Sequence, residues 1–140
     1  MMISTRGRYA LRVMIDLAEN GTDGYIPMKA VAERQNISLK YLERILPVLV
    51  KNGLIEGIQG KSGGYRLTRK TDEYIIGEIL RLTEGDLAPV SCLECSAQPC
   101  QHTADCRTRP MWLKLQAVIN NYLDSVTLDD LLRGNVDGVL

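Results

Sequence analysis

Apolar residues recur at helical spacing in four stretches of this chain, and the polar breaks between them fix where each helix can start and stop. Near the N-terminus Ala10, Val13, Met14, Leu17 and Ala18 form an i, i+3, i+4, i+7, i+8 stripe, as expected of a helix with one core-facing side. Ser4-Thr5 precedes it and Asn20-Gly21 ends it. A loop, Thr22 to Tyr25, leads to Pro27, and proline's tolerance of a first helical turn predicts a short helix from Met28 to Gln35 with Val31 and Ala32 inward. Asn36-Ile37 then makes a turn, and Ser38 offers a hydroxyl to cap a second helix in which Leu42, Ile45, Leu46 and Leu49 repeat. Pro47 lacks the N–H that should reach the Glu43 carbonyl, so a kink or an early end is expected there. After Asn52-Gly53 the period changes. Leu54 to Ile58 and Tyr65 to Leu67 read as short strands, joined by the tip Gly60-Lys61-Ser62-Gly63-Gly64.

Beyond this hairpin, Thr68 to Asp72 is a polar connector, and Ile75, Ile76, Ile79 and Leu80 form a helical stripe stopped by Gly85. Leu87 to Cys106 has two prolines, no sustained periodicity and every cysteine of the chain. A long helix then begins at Thr108 with Pro110 in its first turn, carrying Met111, Trp112, Leu115, Val118, Ile119, Tyr122 and Leu123 on one stripe. The spacing of 111, 115, 118 and 122 suits helix-to-helix packing. Thr127 to Gly134 reads as a short capped helix and Asn135 to Leu140 as a frayed end. The fold expected is mainly α with a small β-hairpin wing: a winged helix-turn-helix plus a long C-terminal dimerisation helix. It divides into a head at 1–85, a cysteine-rich loop at 86–107 and a dimerisation helix with its C-terminal segment at 108–140.

A length of 140 residues is enough for one self-sufficient core. With no Phe and a single Trp, Trp112, that core must rest on Leu, Ile, Val and Met. No long apolar run occurs, and the N-terminal stretch is interrupted by Arg6, Arg8, Arg12 and Asp16. Neither a membrane span nor a signal peptide is therefore expected, and the location implied is the cytoplasm.

The zero net charge hides an asymmetry: residues 1 to 70 hold 12 Lys/Arg and 6 Asp/Glu, whereas 71 to 140 hold 5 and 11. A basic head points to a polyanion, because neutralising phosphates is the main source of nonspecific DNA affinity. The polar face of the second helix, with Ser38, Lys40, Tyr41, Glu43 and Arg44, carries residue types suited to phosphates and base edges in a major groove. Glycines at the hairpin tip allow close approach to a phosphate chain, with Lys61 and Arg66 supplying charge. Arg6, Arg8 and Tyr9 at the entrance of the first helix are placed to touch the DNA backbone. The excess apolar face of the long helix, with Trp112, Leu115, Ile119 and Tyr122, is most simply buried in a homodimer, and a twofold dimer matches a palindromic operator on double-stranded DNA.

Cys92, Cys95, Cys100 and Cys106 fall within fifteen residues as C-x2-C-x4-C-x5-C. In a reducing compartment such thiolates point to zinc or to an iron–sulfur cluster, although a four-cysteine zinc site usually joins two C-x2-C knuckles and only the first pair has that spacing. His102 is an additional candidate ligand. An enzyme reading finds little to build on. There is one histidine, the GKSGG stretch lacks P-loop spacing, and no βαβ frame surrounds Cys92 and Cys95 as a redox pair.

These residues carry a resemblance. The opening STRGRYALRVMIDLA, the helix ISLKYLERIL, the wing from KNGLI to GGYRL, then IIGEILRLTEG and LDSVTLDDLL resemble the dimeric winged-helix bacterial transcription regulators that include IscR and CymR. The resemblance spans nearly the whole chain. It implies DNA contact by Ser4 and Arg8, by Ser38, Lys40, Tyr41, Glu43 and Arg44, and by Gln59, Lys61 and Ser62 on the wing, with dimerisation through the helix from Thr108 to Asp124. It also implies that Cys92, Cys100 and Cys106 hold an iron–sulfur cluster, [2Fe–2S] in preference to [4Fe–4S], that modulates operator binding and controls cluster-biogenesis or related iron, sulfur and redox genes. Zinc or a thiol switch is the alternative within the same fold. The chain departs from the pattern in three places: Cys95 is extra, Arg107-Thr108-Arg109 follows Cys106 where IscR has a nearby histidine, and Gln59 stands where IscR-like wings often carry arginine.

Overall fold

The computed structural model describes residues 3–21 and 24–139, so Thr22 and Asp23 of the expected loop and Leu140 of the expected frayed end lie outside the described residues. Helix α1 (Thr5–Asn20) is capped by Ser4, whose hydroxyl accepts from the Gly7 N–H at 3.4 Å. It buries Ala10, Val13, Met14 and Leu17 completely or nearly so, whereas Ala18 is half-buried at the edge of the stripe. Helix α2 (Met28–Gln35) follows Pro27 and ends at Asn36, whose left-handed backbone (φ 52°) turns the chain into the next helix. Asparagine tolerates this conformation better than most residues.

Helix α3 (Leu39–Lys51) begins at Ser38, whose hydroxyl accepts from the Tyr41 N–H at 3.3 Å, and buries Leu42, Ile45, Leu46 and Leu49. It does not end at Pro47 as one of the two sequence expectations had it. Pro47 lies on the exposed face, where the Glu43 carbonyl it cannot serve is open to water, while Leu46 and Leu49 hold the final turn to the core. Strands β1 (Ile55–Ile58) and β2 (Gly64–Leu67) pair antiparallel, with Ile55 opposite Leu67 and Ile58 opposite Gly64. A further rung anchors this wing to the start of α2, because Ile26 and Tyr65 exchange two backbone hydrogen bonds of 2.8 Å. Gly64 permits that approach: a Cβ on it would lie 2.2 Å from the Ile26 carbonyl oxygen, and its φ is +154°.

Helix α4 (Ile76–Glu84) buries Ile76, Ile79 and Leu80 and stops at Gly85 (φ 82°). Ile75 does not join that stripe. It precedes the helix, is exposed, and forms an isolated antiparallel bridge with Thr127, flanked by hydrogen bonds from Ile76 N–H to the Val126 carbonyl and from Leu128 N–H to the Tyr74 carbonyl, both 2.9 Å. A loop with one 3-10 turn at Ser91–Leu93 leads to α5 (Arg109–Asp124), and α6 (Leu128–Arg133) closes the chain with a reciprocal Thr127–Asp130 cap. Val126 and Leu128 return to the head's core. Asn135 to Val139 is tethered, not frayed. Tyr122 Oη donates to the Val136 carbonyl at 2.6 Å, and the Val139 N–H donates to Ser125 Oγ at 2.7 Å. Among the described residues no helix is long and apolar enough to cross a membrane.

Candidate nucleic-acid interface and thiol cleft

A polar network ties α1 to α2, the helix that leads into α3. Asp16, on the otherwise apolar face of α1, is 1% exposed and accepts three side-chain hydrogen bonds: two from Arg34 (2.7 and 3.1 Å) and one from Gln35 Nε2 (3.0 Å). Arg12 Nε donates in turn to Gln35 Oε1 at 3.1 Å, and its guanidinium also donates to the Gln35 carbonyl. The hydrogen bond to Asp16 raises the Arg34 pKa above its ordinary value. The last turn of α2 is therefore bolted to α1 immediately before Asn36, and the direction in which α3 leaves that turn is set by it. Neither Asp16 nor Gln35 was marked by the pattern of the sequence.

On α3 itself Ser38, Lys40, Glu43 and Arg44 are exposed, whereas Tyr41 is half-buried and packs edge-to-face on Tyr9 at 5.4 Å between ring centroids. Tyr41 thus braces α3 against α1 as well as bordering the polar face. Arg6, Tyr41 and Arg44 surround one shallow cleft, which brings the entrance of α1 beside α3 and gives it two cations. Arg8 is exposed, with Nη2 bonded to Thr5 Oγ1 at 3.1 Å. The Ser4 backbone N–H and hydroxyl are both engaged inside the molecule, donating to the Glu84 carboxylate at 3.0 and 2.7 Å.

The wing presents Gln59, Lys61 and Ser62, all exposed, at its tip. Arg66 does not add free charge there. Its Nε donates to Glu56 Oε1 at 2.6 Å across the strand pair, its guanidinium lies 4.5 Å over the Tyr25 ring, and the bond to Glu56 raises its pKa. The base of the wing depends on Tyr74, a residue that the sequence pattern did not single out. Tyr74 is fully buried; its hydroxyl donates to the Leu54 carbonyl (2.7 Å) and accepts from the N–H groups of Thr68 (2.8 Å) and Arg69 (3.1 Å). One phenol thereby joins the residue before β1 to the residues after β2.

The cysteine loop sorts its four thiols into two places. Cys92, Cys100 and Cys106 line a single cleft of about 280 Å³ with Glu94, Thr103 and Arg109. Cys95 lines neighbouring pockets with Asp86 instead; its N–H donates to Asp86 Oδ2 at 2.7 Å, and the carboxylate pushes its thiol pKa up. Cys106 is biased the other way. Hydrogen bonding with the Thr108 side chain and with the backbone of Thr108 and Arg109, at the start of α5, lowers its pKa. His102 is exposed and is not among the residues lining the cleft; its backbone N–H donates to Cys100 Sγ at 3.4 Å. Among the described residues no three His, Cys, Asp or Glu side chains are close enough together to hold an ion as they stand. The donor set itself fits a thiophilic metal or cluster, since three accessible thiols surround one cleft on a loop.

Helix α5 buries none of its residues within the chain. Met111, Leu113 and Leu115 are exposed, whereas Trp112, Ile119 and Tyr122 are half-buried.

A two-helix turn with an exposed polar second helix and a glycine-tipped wing defines a winged helix-turn-helix DNA-binding regulator. The chain belongs to the Rrf2 family, described as iron-dependent transcriptional regulators, whose model matches residues 3–134. It is similar to an HTH-type transcriptional regulator of Neisseria meningitidis serogroup A, with 39% identity over 99% of this chain and 93% of the relative. Its fold is that of CymR, the global cysteine regulator of B. subtilis (TM-score 0.77, 35% identity, 96% of this chain and 98% of that one). It is also that of IscR from T. potens (TM-score 0.75, 34% identity, 96% and 88%). These relatives are transcriptional regulators, not enzymes, and regulators of this family bind DNA.

Proposed function

We propose that the protein is a homodimeric regulator whose affinity for a palindromic operator is set by an iron–sulfur cluster, [2Fe–2S] in preference to [4Fe–4S], held by Cys92, Cys100 and Cys106. The observation that carries this reading is the sorting of the thiols: three face one cleft, and the fourth is tied to Asp86 elsewhere. Structural zinc sites are closed four-coordinate sets, most often of four Cys or Cys with His, and the cleft brings together neither four cysteines nor His102. When bound, such a cluster supplies a redox-sensitive group whose presence or loss can be sensed. The chain's own residues do the rest. Thr108 and Arg109 favour the thiolate of Cys106 at the start of α5, and the loop spans from Gly85, the stop of α4, to α5 itself. Drawing the three thiols together would order that loop and fix α5 relative to α4, and with it the separation of two heads in a dimer.

The unburied apolar face of α5 supports a dimer built on Trp112, Leu115, Ile119 and Tyr122. Arg8, Ser38, Lys40, Tyr41, Glu43 and Arg44, with Gln59, Lys61 and Ser62 of the wing, form the DNA surface; Ser4 contributes by capping α1 and by its bond to Glu84. Absorption, iron and sulfide analysis of anaerobically purified protein tests the cluster. Visible absorption with iron and acid-labile sulfide is expected, lost in Cys92→Ala, Cys100→Ala and Cys106→Ala but retained in Cys95→Ala. Stoichiometric zinc without sulfide would overturn the cluster and leave the DNA reading intact.

A further inference from the structure

Three thiols leave a metal centre one ligand short, and the same cleft contains the group that can supply it. We propose that Glu94 provides the fourth, oxygen ligand to the centre held by Cys92, Cys100 and Cys106. This rests on the cluster reading above and goes beyond it, because neither the spacing of the cysteines nor the one histidine points to a glutamate.

The other donors near the cleft are excluded one by one. Cys95 is next in sequence to Glu94, but of the two only Glu94 lines the cleft with the three other cysteines. Cys95 lines the neighbouring pocket with Asp86, a pocket that Glu94 borders as well, and its N–H is tied to the Asp86 carboxylate at 2.7 Å. His102 is exposed outside the cleft. Arg109 lines the cleft, but a guanidinium has only donors and no lone pair to give a metal. The Thr103 hydroxyl, oriented by donating to the Cys100 carbonyl at 2.8 Å, is neutral and so a weaker ligand than a carboxylate.

Glu94 meets the requirements that these fail. Glu94 lines the cleft together with Cys92, Cys100 and Cys106. No hydrogen bond or ion pair among the described residues occupies its side chain. Its backbone is held in position on both sides, with its N–H donating to the Ser91 carbonyl (3.2 Å) and its carbonyl accepting from Ala97 N–H (3.0 Å). Three thiolates and a carboxylate put four negative charges in one place. Arg109 and the N-terminus of α5, both at the cleft, oppose that charge. A carboxylate is a harder donor than the thiolates and a poorer match for a thiophilic centre, so this position is the exchangeable one.

The test uses the full-length protein, reconstituted anaerobically, as wild type and as Glu94→Gln, Glu94→Cys, His102→Ala and Cys95→Ser. The reduced cluster is read by electron paramagnetic resonance and its midpoint potential by dye-mediated titration. The assignment expects Glu94→Gln to change the g-values and shift the potential, or to lose the cluster with far-UV circular dichroism unchanged. It expects Glu94→Cys to hold a cluster with the visible spectrum and lower potential of all-thiolate ligation, and the other two variants to match wild type. Unaltered g-values and potential in Glu94→Gln would overturn it, as would a change confined to His102→Ala or Cys95→Ser. Absence of iron and sulfide from wild type, seen before any variant is compared, would instead remove the cluster reading beneath it.

Discussion

Tyr74→Phe removes one oxygen from a buried site and nothing else, so its effect can be worked from the hydrogen bonds alone. The phenol gives one bond to the Leu54 carbonyl and takes two, from the N–H groups of Thr68 and Arg69, while its ring is fully buried. A buried polar group left without a partner costs about 1–3 kcal/mol. The Thr68 hydroxyl gives its proton to the Gly53 carbonyl at 2.6 Å and offers the Leu54 carbonyl only a 3.4 Å contact, while Thr68 is exposed enough for water to reach its N–H. Arg69 is half-buried and its N–H is the hardest to rehydrate. The three losses therefore do not add in full, and the expected destabilisation is about 2–3 kcal/mol, a large fraction of the ~5–15 kcal/mol typical of a domain. Urea unfolding followed by circular dichroism should show a lower midpoint with an unchanged slope, because the surface exposed on unfolding is the same. Since the bonds freed hold the base of both wing strands, leaving the Ile26–Tyr65 rung as the remaining anchor, DNA affinity should fall several-fold beyond what the lost folded fraction explains. A loss below about 0.5 kcal/mol would show that the phenol does not hold the base of the wing.

Four other outcomes follow from the same structure. Arg34→Ala leaves the buried Asp16 carboxylate with only Gln35, whereas Asp16→Ala leaves an arginine that is 40% exposed and can rehydrate. Arg34→Ala should therefore be the more damaging, by about 2–4 kcal/mol after allowing for solvent at Arg34, and the reverse order in urea unfolding would contradict the network. Gly64→Ala places a methyl 2.2 Å from the Ile26 carbonyl and should break the two-bond rung to Tyr65, seen as faster amide exchange at both residues with α1 protection unchanged. Leu115→Glu should split the proposed dimer in light scattering, whereas a stable dimer would move the interface off α5. Asp86 has its pKa depressed, chiefly by the Cys95 N–H and then by Ala88, so its stabilising contribution is present above the ordinary carboxylate value and disappears as pH falls through the lowered one. Asp86→Asn should accordingly loosen the start of the cysteine loop at pH ~7 and make little difference once acid has protonated the wild-type carboxyl, as amide exchange at Cys95 would report.

The elements legible in the sequence are those in which local chemistry and burial agree. Ser4, Ser38 and Thr127 cap helices where hydroxyl residues stand before apolar stripes, and the hairpin falls where glycines interrupt the helical period. The early end that Pro47 allowed did not occur, because its penalty depends on tertiary burial and both Pro47 and Glu43 are exposed. The Arg66–Glu56 pair was legible in principle: the two stand directly opposite in the register, and a cross-strand pairing of the hairpin would have matched them. Tyr74, Asp16 and the tie of Cys95 to Asp86 were not, because each is defined by partners far along the chain or by a loop path without periodicity. The resemblance set Cys92, Cys100 and Cys106 apart from an extra Cys95, and the fold lines one cleft with those three.

Whether the cleft governs DNA binding is decided by one titration. A duplex selected in vitro from random sequence is labelled and titrated anaerobically with the reconstituted protein and with the same preparation stripped by a chelator, at fixed salt, and fluorescence anisotropy is read. The two curves should differ in Kd by between about 5- and 150-fold, the usual range of coupling between two sites, and Cys92→Ala should give one curve under both treatments. Superimposed curves from wild type, with the cluster shown to be present in one and absent in the other, would contradict the account.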